Sequence, residues 1–209
     1  MRVMVAIVTL LVAVSTKAQQ DTSWVTYRGG MDLREGIYRD FRSFRFNAPS
    51  IPQEKLRDDQ GLPVSDIRQS LSKLYFQPDT GERKRVDLDK IWGFCHNDVV
   101  YVSAGNGFYR IGLMGGLAHM AFEQSYRDWD PYLYGYGTIT RTVLLQQLID
   151  METGSVLPFN ASGMDAALGH DPVLLEEFRG LPKKQRNRDE TLFRFLRMYN
   201  ERHPLLLPE

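Results

Sequence analysis

Four residues could take part in nucleophilic or metal chemistry: Cys95, His96, His119 and His170. A thiol activated by an imidazole base is an established catalytic pair, so Cys95 with His119 is the first hydrolase hypothesis. As metal ligands the four are poorly spaced, because Cys95 and His96 would point to opposite faces of a strand and no second close pair follows. The sequence therefore predicts no metal site, no cofactor and no assigned catalytic residue, with Cys95 more typical of a buried apolar side chain.

A second group of residues suits binding. Between residues 125 and 137, aromatic side chains stand among carboxylates, prolines and glycines. The candidate ligand-binding residues are Asp128, Trp129, Asp130, Tyr132, Tyr134 and Tyr136. Exposed rings beside carboxylates suit a sugar or a peptide, whereas buried rings would only cover a sheet. We predict a long aromatic loop, because the segment is too interrupted for a strand. Its carboxylates Asp128 and Asp130 are the alternative hydrolase residues.

The elements that position these residues begin with a β-meander. From Lys90 to Glu123, aromatic and β-branched residues alternate with small or polar ones, and Asn, Asp and Gly clusters cut each run. This pattern predicts about four strands joined by hairpins. The glycines of this stretch lack the strand–loop–helix context and the Lys-Ser/Thr ending of a phosphate-binding loop, so we assign them to turns.

Other strands flank the meander. Residues 71–77 and 82–86 predict a hairpin around the turn Pro78-Asp79-Thr80-Gly81. Thr138 to Met151 is apolar and β-branched, which favours a strand over a helix, and residues 155–159 would pair back after a second Thr-Gly turn. The predicted sheet region is therefore about 67–159.

Helices are expected at both ends of the chain. From Tyr38 to Phe46, aromatic residues recur every third position with arginines between them, which predicts a short helix. This helix could dock on the sheet or lie at a membrane surface, and docking is favoured because interfacial helices are usually longer. Within about 171–203, Asp171-Pro172 begins one amphipathic helix and Asp189 caps a second, which His203-Pro204 ends.

The first residues resemble an export signal. Met1-Arg2 supplies a positive start, Val3 to Val14 is almost wholly apolar, and Thr16-Lys17-Ala18 has small residues at the cleavage positions. The apolar run is shorter than the roughly 20 residues that a membrane-spanning helix needs. We therefore predict that residues 1–18 are a cleaved signal peptide and that the mature chain has no transmembrane segment.

Charge and length limit the remaining possibilities. The sequence has 26 basic and 26 acidic residues, and removing Arg2 and Lys17 leaves 24 and 26, a charge of −2. Nucleic-acid binding needs a concentrated basic surplus, so we exclude nucleic acid as a partner. Residues 19–209 suit a single domain. A lone cysteine excludes an intramolecular disulfide, so the fold depends on packing.

Several short motifs are spread over most of the mature chain: Gly36-Ile37-Tyr38-x-x-Phe41-x-x-Phe44-x-x-Asn47-x-Pro49-Ser50, Ile91-Trp92-Gly93-Phe94, Asp171-Pro172-x-Leu174-Leu175-x-Glu177-Phe178 and Tyr199-Asn200-x-Arg202-x-Pro204. Together they resemble small exported proteins of unassigned function from Bacteroidetes-type bacteria. The resemblance implies a location in the cell envelope, in the periplasm or at the cell surface, and no activity.

The sequence thus predicts an α+β domain with an antiparallel, curved or barrel-like β-meander sheet, one short N-terminal helix and two C-terminal helices. The expected function is that of an exported, non-catalytic envelope protein that binds a protein or a glycan. A hydrolase using Cys95 with His119, or Asp128 with Asp130, is the second hypothesis. Peripheral membrane association through the helix from Tyr38 to Phe46 is the third.

Overall fold

The computed structural model describes residues 23–29, 31–129 and 137–208. Within these residues an antiparallel sheet of eight strands curls into a half-barrel, and helices pack against it. This confirms the mixed α and β class and the curved antiparallel sheet that the sequence predicts.

The strands of the described residues are β1 (Trp24–Thr26), β2 (Gly36–Tyr38), β3 (Ile51–Pro52), β4 (Leu56–Arg57), β5 (Tyr75–Phe76), β6 (Lys84–Arg85), β7 (Gly93–His96), β8 (Val99–Ala104), β9 (Gly107–Leu113), β10 (Leu117–Trp129), β11 (Thr138–Asp150), β12 (Val156–Pro158) and β13 (Leu206–Pro208). The α-helices of the same residues are α1 (Phe41–Arg45), α2 (Ile67–Ser70), α3 (Ala161–Ala167), α4 (Pro172–Gly180), α5 (Lys183–Arg186) and α6 (Asp189–Arg202).

The large sheet has the strand order β12-β11-β10-β9-β8-β7-β2-β3. From β7 to β12 each strand pairs antiparallel with the next one in the chain, which confirms the meander and the strand predicted from Thr138. The predicted hairpin of β5 and β6 also forms, but with β4 in a separate small sheet. A third pairing joins β1 to β13.

Local sequence explains the turn between β7 and β8. His96 pairs with Val99, so that Asn97 and Asp98 are the two turn residues. Both have positive φ, at 49° and 57°. A two-residue hairpin that matches the strand twist needs this left-handed backbone, which Asn and Asp tolerate better than other non-glycine residues.

Strand β10 separates two apolar cores because successive side chains of a strand point to opposite faces. Ala118, Met120 and Phe122 belong to one core, together with residues of β7, β8 and β9. Leu117 belongs to the other core, which α3, α4 and α6 cover. A third core lies between β7 and the segment that contains α2.

The N-terminal helix differs from its prediction. Tyr38 is the last residue of β2, paired with Gly93, rather than the first turn of a helix. Helix α1 begins later because Asp40 caps it: its carboxylate accepts a hydrogen bond from the backbone N–H of Ser43 at 2.7 Å. The spacing of the aromatic residues favours a helix from Tyr38, but Tyr38 pairs with β7 instead. The capping box at Asp40 then fixes the first residue of α1. Helices α2, α3 and α5 are also present and do not follow from the sequence patterns.

The predicted aromatic loop is wrong in its first part. Residues 125–129 continue β10 and pair with residues 138–142 of β11. Each residue here has a cross-strand partner, and such pairing overrides weak local strand propensity. The remaining part of the predicted loop, residues 130–136, lies outside the described residues.

None of the helices in the described part of the chain combines the length and the apolar character needed to cross a membrane.

Two glycines provide a matched test of the sheet packing. A Cβ on Gly93 would overlap the carbonyl oxygen of Tyr101 on β8, whereas a Cβ on Gly169 would have no neighbour within 4 Å. We expect Gly93→Ala to lower the free energy of unfolding by about 1–3 kcal/mol, because backbone must move to admit the methyl group. Gly169→Ala should leave stability unchanged or raise it by up to about 1 kcal/mol. Urea unfolding of both variants measures the difference, and equal stabilities would contradict the packing described.

Candidate functional site

Strands β10 and β11 continue beyond their neighbours in the sheet as a two-stranded arm. Residues 123–129 of β10 and 138–144 of β11 pair with each other, and in the described residues no other strand pairs with them. Seven residues of strand are about 23 Å long. We call these two segments the arm, with its tip at Trp129 and Thr138 and its base at Glu123 and Leu144.

The arm has two different faces. One, which we call the Trp129 face, carries Glu123, Ser125, Arg127, Trp129, Thr138, Thr140, Thr142 and Leu144. The opposite face, which we call the Tyr126 face, carries Gln124, Tyr126, Asp128, Ile139, Arg141 and Val143. Each face has two large apolar side chains exposed to solvent.

The exposed fractions of these apolar side chains are high for residues of their type. Trp129 and Leu144 are 61 % and 64 % exposed, and Tyr126 and Val143 are 45 % and 37 % exposed. Single apolar residues are common on protein surfaces, but two large exposed apolar side chains on each face of one element make the arm a candidate interaction site.

Polar contacts across the strands hold the arm together. On the Trp129 face the hydroxyl groups of Ser125 and Thr142 are 2.8 Å apart. On the Tyr126 face Arg141 Nε lies 3.0 Å from Asp128 Oδ2. An exposed ion pair of this kind contributes about 0–1 kcal/mol. It also neutralises Asp128, one of the carboxylates predicted to bind ligand.

The predicted ligand-binding residues fall into two groups. Asp130, Tyr132, Tyr134 and Tyr136 lie outside the described residues. Asp128 and Trp129 are at the tip of the arm, where the alternation of the strand points them to opposite faces. The described part of the structure therefore does not bring an aromatic ring and a carboxylate from this set to one surface.

The structure does not bring Cys95 and His119 together. Cys95 is buried in the core that also contains Ala118 and Met120. His119 points to the other face of the sheet, where its Nε2 is 3.0 Å from Gln146 Oε1 and its ring packs against Phe159. The sheet separates the two side chains, so His119 cannot accept the thiol proton of Cys95.

Burial also makes Cys95 a poor nucleophile. Burial raises the pKa of the Cys95 thiol to about 12, and the negative charges of Asp98 and Glu35 add to this effect. The reactive form of cysteine is the thiolate. At neutral pH this side chain is an apolar residue of the core.

No cluster of three or more potential metal ligands occurs among the residues that the structure describes. His96, the neighbour of Cys95, lies between two carboxylates from earlier segments of the chain. Its Nε2 is 3.6 Å from Asp66 Oδ1 and its Nδ1 is 3.8 Å from Glu35 Oε2. These contacts join three segments of the fold.

A polar cleft of about 470 Å³ is a concave feature that no sequence pattern predicts. It lies where the β11–β12 turn meets the end of α6, and polar side chains from distant parts of the chain line it: Arg45, Asp150, Glu152, His170, Tyr199 and His203. The side chains come together through tertiary packing, so no local motif could have revealed them.

A carboxylate–imidazole pair lies beside this cleft. His203 Nε2 is 3.0 Å from Asp171 Oδ2, and Arg202 Nη1 is 3.4 Å from the same carboxylate. Asp171 also accepts a hydrogen bond from the backbone N–H of Leu174 as the cap of α4. The sequence predicts Asp171 as a helix cap and His203 as a helix end, but their contact depends on tertiary packing.

The contacts of Asp171 explain its acidity. The backbone hydrogen bond from Leu174, together with His203 and Arg202, lowers the pKa of the Asp171 carboxyl against the opposing effect of burial. Its charge links α4 to α6.

Burial, and then the charges of Asp150, Glu152 and Asp171, raise the pKa of the nearby Tyr199 phenol. The cleft therefore offers protonated and ionised groups but, in the described residues, no serine, threonine or cysteine nucleophile in its lining.

The structure thus defines an α+β protein with a curled antiparallel sheet, a projecting two-stranded arm and a polar cleft. Comparison with known proteins finds no matching family model, no matching curated protein and no matching solved structure.

Chemical modification tests the state of Cys95. We expect iodoacetamide at pH 8 to alkylate the thiol very slowly in the native protein and rapidly in urea, because burial holds the thiol protonated. Mass spectrometry over time measures both rates. Rapid alkylation of the folded protein would contradict the burial described.

The acid dependence of stability tests the Asp171 contact. Since the pKa of Asp171 is lower in the folded protein than its ordinary value of 3.8, its contribution is fully present above that value and is lost as the pH falls through the folded value. Asp171→Asn keeps a capping side chain but removes the charge. We expect urea unfolding to show a smaller loss of stability between pH 5 and pH 2 in Asp171→Asn than in the parent.

The matched control is Glu176→Gln, which removes an exposed carboxylate on the same helix. Its acid dependence should follow the parent. If both variants lose stability equally on acidification, the contact of Asp171 with His203 and Arg202 does not carry the effect.

Proposed function

We propose that this chain is an exported, non-catalytic protein of the bacterial cell envelope that binds another protein through the arm. The observation that carries the proposal is the exposure of Trp129, Leu144, Tyr126 and Val143 on an element that projects from the sheet.

The form of the arm favours a protein partner over a glycan. Trp129 and Asp128, the predicted aromatic ring and carboxylate, point to opposite faces and therefore cannot form one sugar site together. A flat ribbon with spaced apolar anchors suits a protein surface, where buried aromatic residues contribute most of the binding energy.

Export is supported by residues 1–18, with their positive start, apolar run and small residues at the cleavage positions. The resemblance to small exported proteins of Bacteroidetes-type bacteria points to the same location. We place the mature protein in the periplasm or at the cell surface.

The two alternative hypotheses have less support from geometry. A hydrolase based on Cys95 and His119 would need them on one face of the sheet, and Asp128 is already paired with Arg141. A membrane-binding helix would need several free aromatic rings, but Tyr38 and Phe44 are buried and Phe44 stacks on Trp92 at 4.7 Å, which leaves Phe46 as the largely exposed ring of this segment. The arginines of that segment lie over rings of this same chain: Arg39 over Phe76, Arg42 over Phe46 and Arg45 over Trp24.

Affinity capture from an envelope extract of the source bacterium tests the proposal. The bait is the purified protein or its double variant Trp129→Ser/Leu144→Ser, which removes both anchors of the Trp129 face. Because truncating a central aromatic anchor costs about 2 kcal/mol or more, we expect the variant to recover at least about tenfold less of the specific partner.

The control is Val173→Ser, which removes a side chain on α4 that is 65 % exposed. It should capture as much as the parent. Proteins recovered equally by all three baits are background, and the proposal fails if no protein depends on the arm.

A further inference from the structure

We propose that the open edge of β11 in the arm binds an extended segment of another protein, which adds to the sheet as an antiparallel strand. This inference rests on the proposed function, since it states which part of the arm the partner contacts and which conformation the partner takes. The open edge consists of residues 138–144. They pair with β10 on one side and, within the described residues, with no strand on the other.

The hydrogen bonds at the base of β11 show which backbone groups face the open edge. On the side of β12, the backbone N–H of Asp150 donates to the carbonyl oxygen of Ser155 at 2.9 Å, and the carbonyl oxygen of Gln146 accepts from the N–H of Phe159 at 3.0 Å. Both backbone groups of a strand residue point to one side, and the side alternates from residue to residue. The even-numbered residues of β11 therefore direct their backbone groups away from β10.

Four residues of the open edge present backbone groups without a neighbouring strand. The register between β10 and β11 has no break, so the alternation continues along the arm to Thr138, Thr140, Thr142 and Leu144. Within the described residues the outward groups of these four face no other strand. Each residue supplies one donor and one acceptor, so the edge offers four of each at the spacing that an added antiparallel strand requires.

The open edge lacks the features that commonly protect sheet edges. Proteins discourage pairing at an edge with Pro, Lys or a bulge. Residues 138–144 contain no Pro, Gly or Lys, and their register with β10 has no bulge. All of them except Arg141 and Leu144 are β-branched, which favours the extended backbone. The charge of Arg141 is neutralised by Asp128 at 3.0 Å. This edge is therefore ready to pair.

The edge of β10 on the opposite side of the arm is less suitable. By the same alternation Glu123 and Arg127 direct their backbone groups outward there, and both carry charged side chains, which discourage pairing. The carbonyl oxygen of Glu123 also accepts a hydrogen bond from the Tyr109 hydroxyl at 3.4 Å. The added strand is therefore assigned to β11.

The side chains of β11 define the chemistry of the segment that binds. On the Trp129 face the added strand would lie beside threonines and Leu144, and on the Tyr126 face beside Ile139 and Val143. Cross-strand pairs between β-branched residues stabilise a sheet. The segment is therefore uncharged and rich in Val, Ile and Thr. Its main chain supplies the affinity and its alternate side chains supply the specificity.

Hydrogen exchange followed by NMR tests the inference. The probe is a synthetic peptide of alternating threonine and valine, because main-chain pairing depends little on the exact sequence. In the free protein we expect rapid exchange of the Thr140 and Thr142 amides and slow exchange of the Ile139 and Arg141 amides, which face β10. Saturating peptide should slow exchange at Thr140 and Thr142 at least about tenfold.

A matched control peptide isolates the main-chain contribution. Two adjacent central residues of this peptide are N-methylated, which removes one donor from each edge of the peptide strand. We expect it to bind at least about fivefold more weakly than the unmodified peptide, because a lost hydrogen bond leaves a carbonyl oxygen of β11 unpaired.

A backbone variant of the protein makes the reciprocal test. Thr140→Pro removes one outward N–H, and an edge strand tolerates Pro where the N–H faces solvent. We expect the dissociation constant of the peptide to rise at least about fivefold. Thr140→Val keeps the N–H and the branched shape and should stay within about threefold of the parent. If thermal unfolding shows that Thr140→Pro disrupts the arm, the N-methylated peptide decides the outcome.

Three results would overturn the inference. They are no protection of the Thr140 and Thr142 amides at about 1 mM peptide, equal binding of the N-methylated peptide, or protection without peptide that rises with protein concentration. The last result would mean that the edge pairs with a second copy of the chain.

The proposed function can survive the failure of this inference. If envelope capture depends on Trp129 and Leu144 but the peptide does not protect the edge, the partner binds a face of the arm and only the inference fails. If neither capture nor peptide binding depends on the arm, both proposals fail.

Discussion

The antiparallel ladder between β10 and β11 is the constraint on which the rest of the structure depends. Its thirteen residue pairs run without a break from Leu117–Asp150 to Trp129–Thr138. In the first part, strand alternation sends Ala118 and Met120 into one core and Leu117, with Leu148 of β11, into the other. The curled sheet and the helical layer are therefore both built on the same two strands. Beyond Phe122 the cores end but the hydrogen bonds continue, and this continuation is the arm.

The junction of the sheet with α6 shows how closely the two layers are joined. Asn200 of α6 accepts a hydrogen bond from the backbone N–H of Leu117 at 2.8 Å and donates one to its carbonyl oxygen at 2.9 Å. Its side chain thus satisfies both backbone groups of the first residue of β10. Gly116, just before it, lies against the carbonyl oxygen of His203, so a Cβ at this position would overlap backbone. The polar cleft exists because this close approach brings the end of α6 to the β11–β12 turn.

Sequence patterns predicted the parts of the fold that depend on neighbours in the chain. The alternation of residues 90–123, the turn at Asn97-Asp98 and the strand from Thr138 follow from local chemistry, and the structure contains them. The patterns were wrong where the structure of a residue depends on pairing with a segment distant in the chain. Residues 125–129 have weak strand propensity and become a strand because β11 pairs with them, and Tyr38 becomes a strand residue because it pairs with Gly93. For the candidate site, Trp129 and Asp128 were identified, but Leu144 and Val143 were assigned to an ordinary strand. The cleft was not predictable, since Asp150, Tyr199 and His203 line one space only after the helices have packed.

The pairing of β1 with β13 can form only late in the synthesis of the chain. Trp24 lies opposite Pro208, and the backbone N–H of Tyr27 donates to the carbonyl oxygen of Leu205 at 2.7 Å. These contacts close a loop that contains nearly the whole described chain, and closure of so long a loop adds entropy cost to a pairing of three residues on each side. The meander can form while the chain is still emerging, but this pairing cannot form until residue 208 has been synthesised. Segment 24–27 therefore gains its strand partner only after the last described residues have been made.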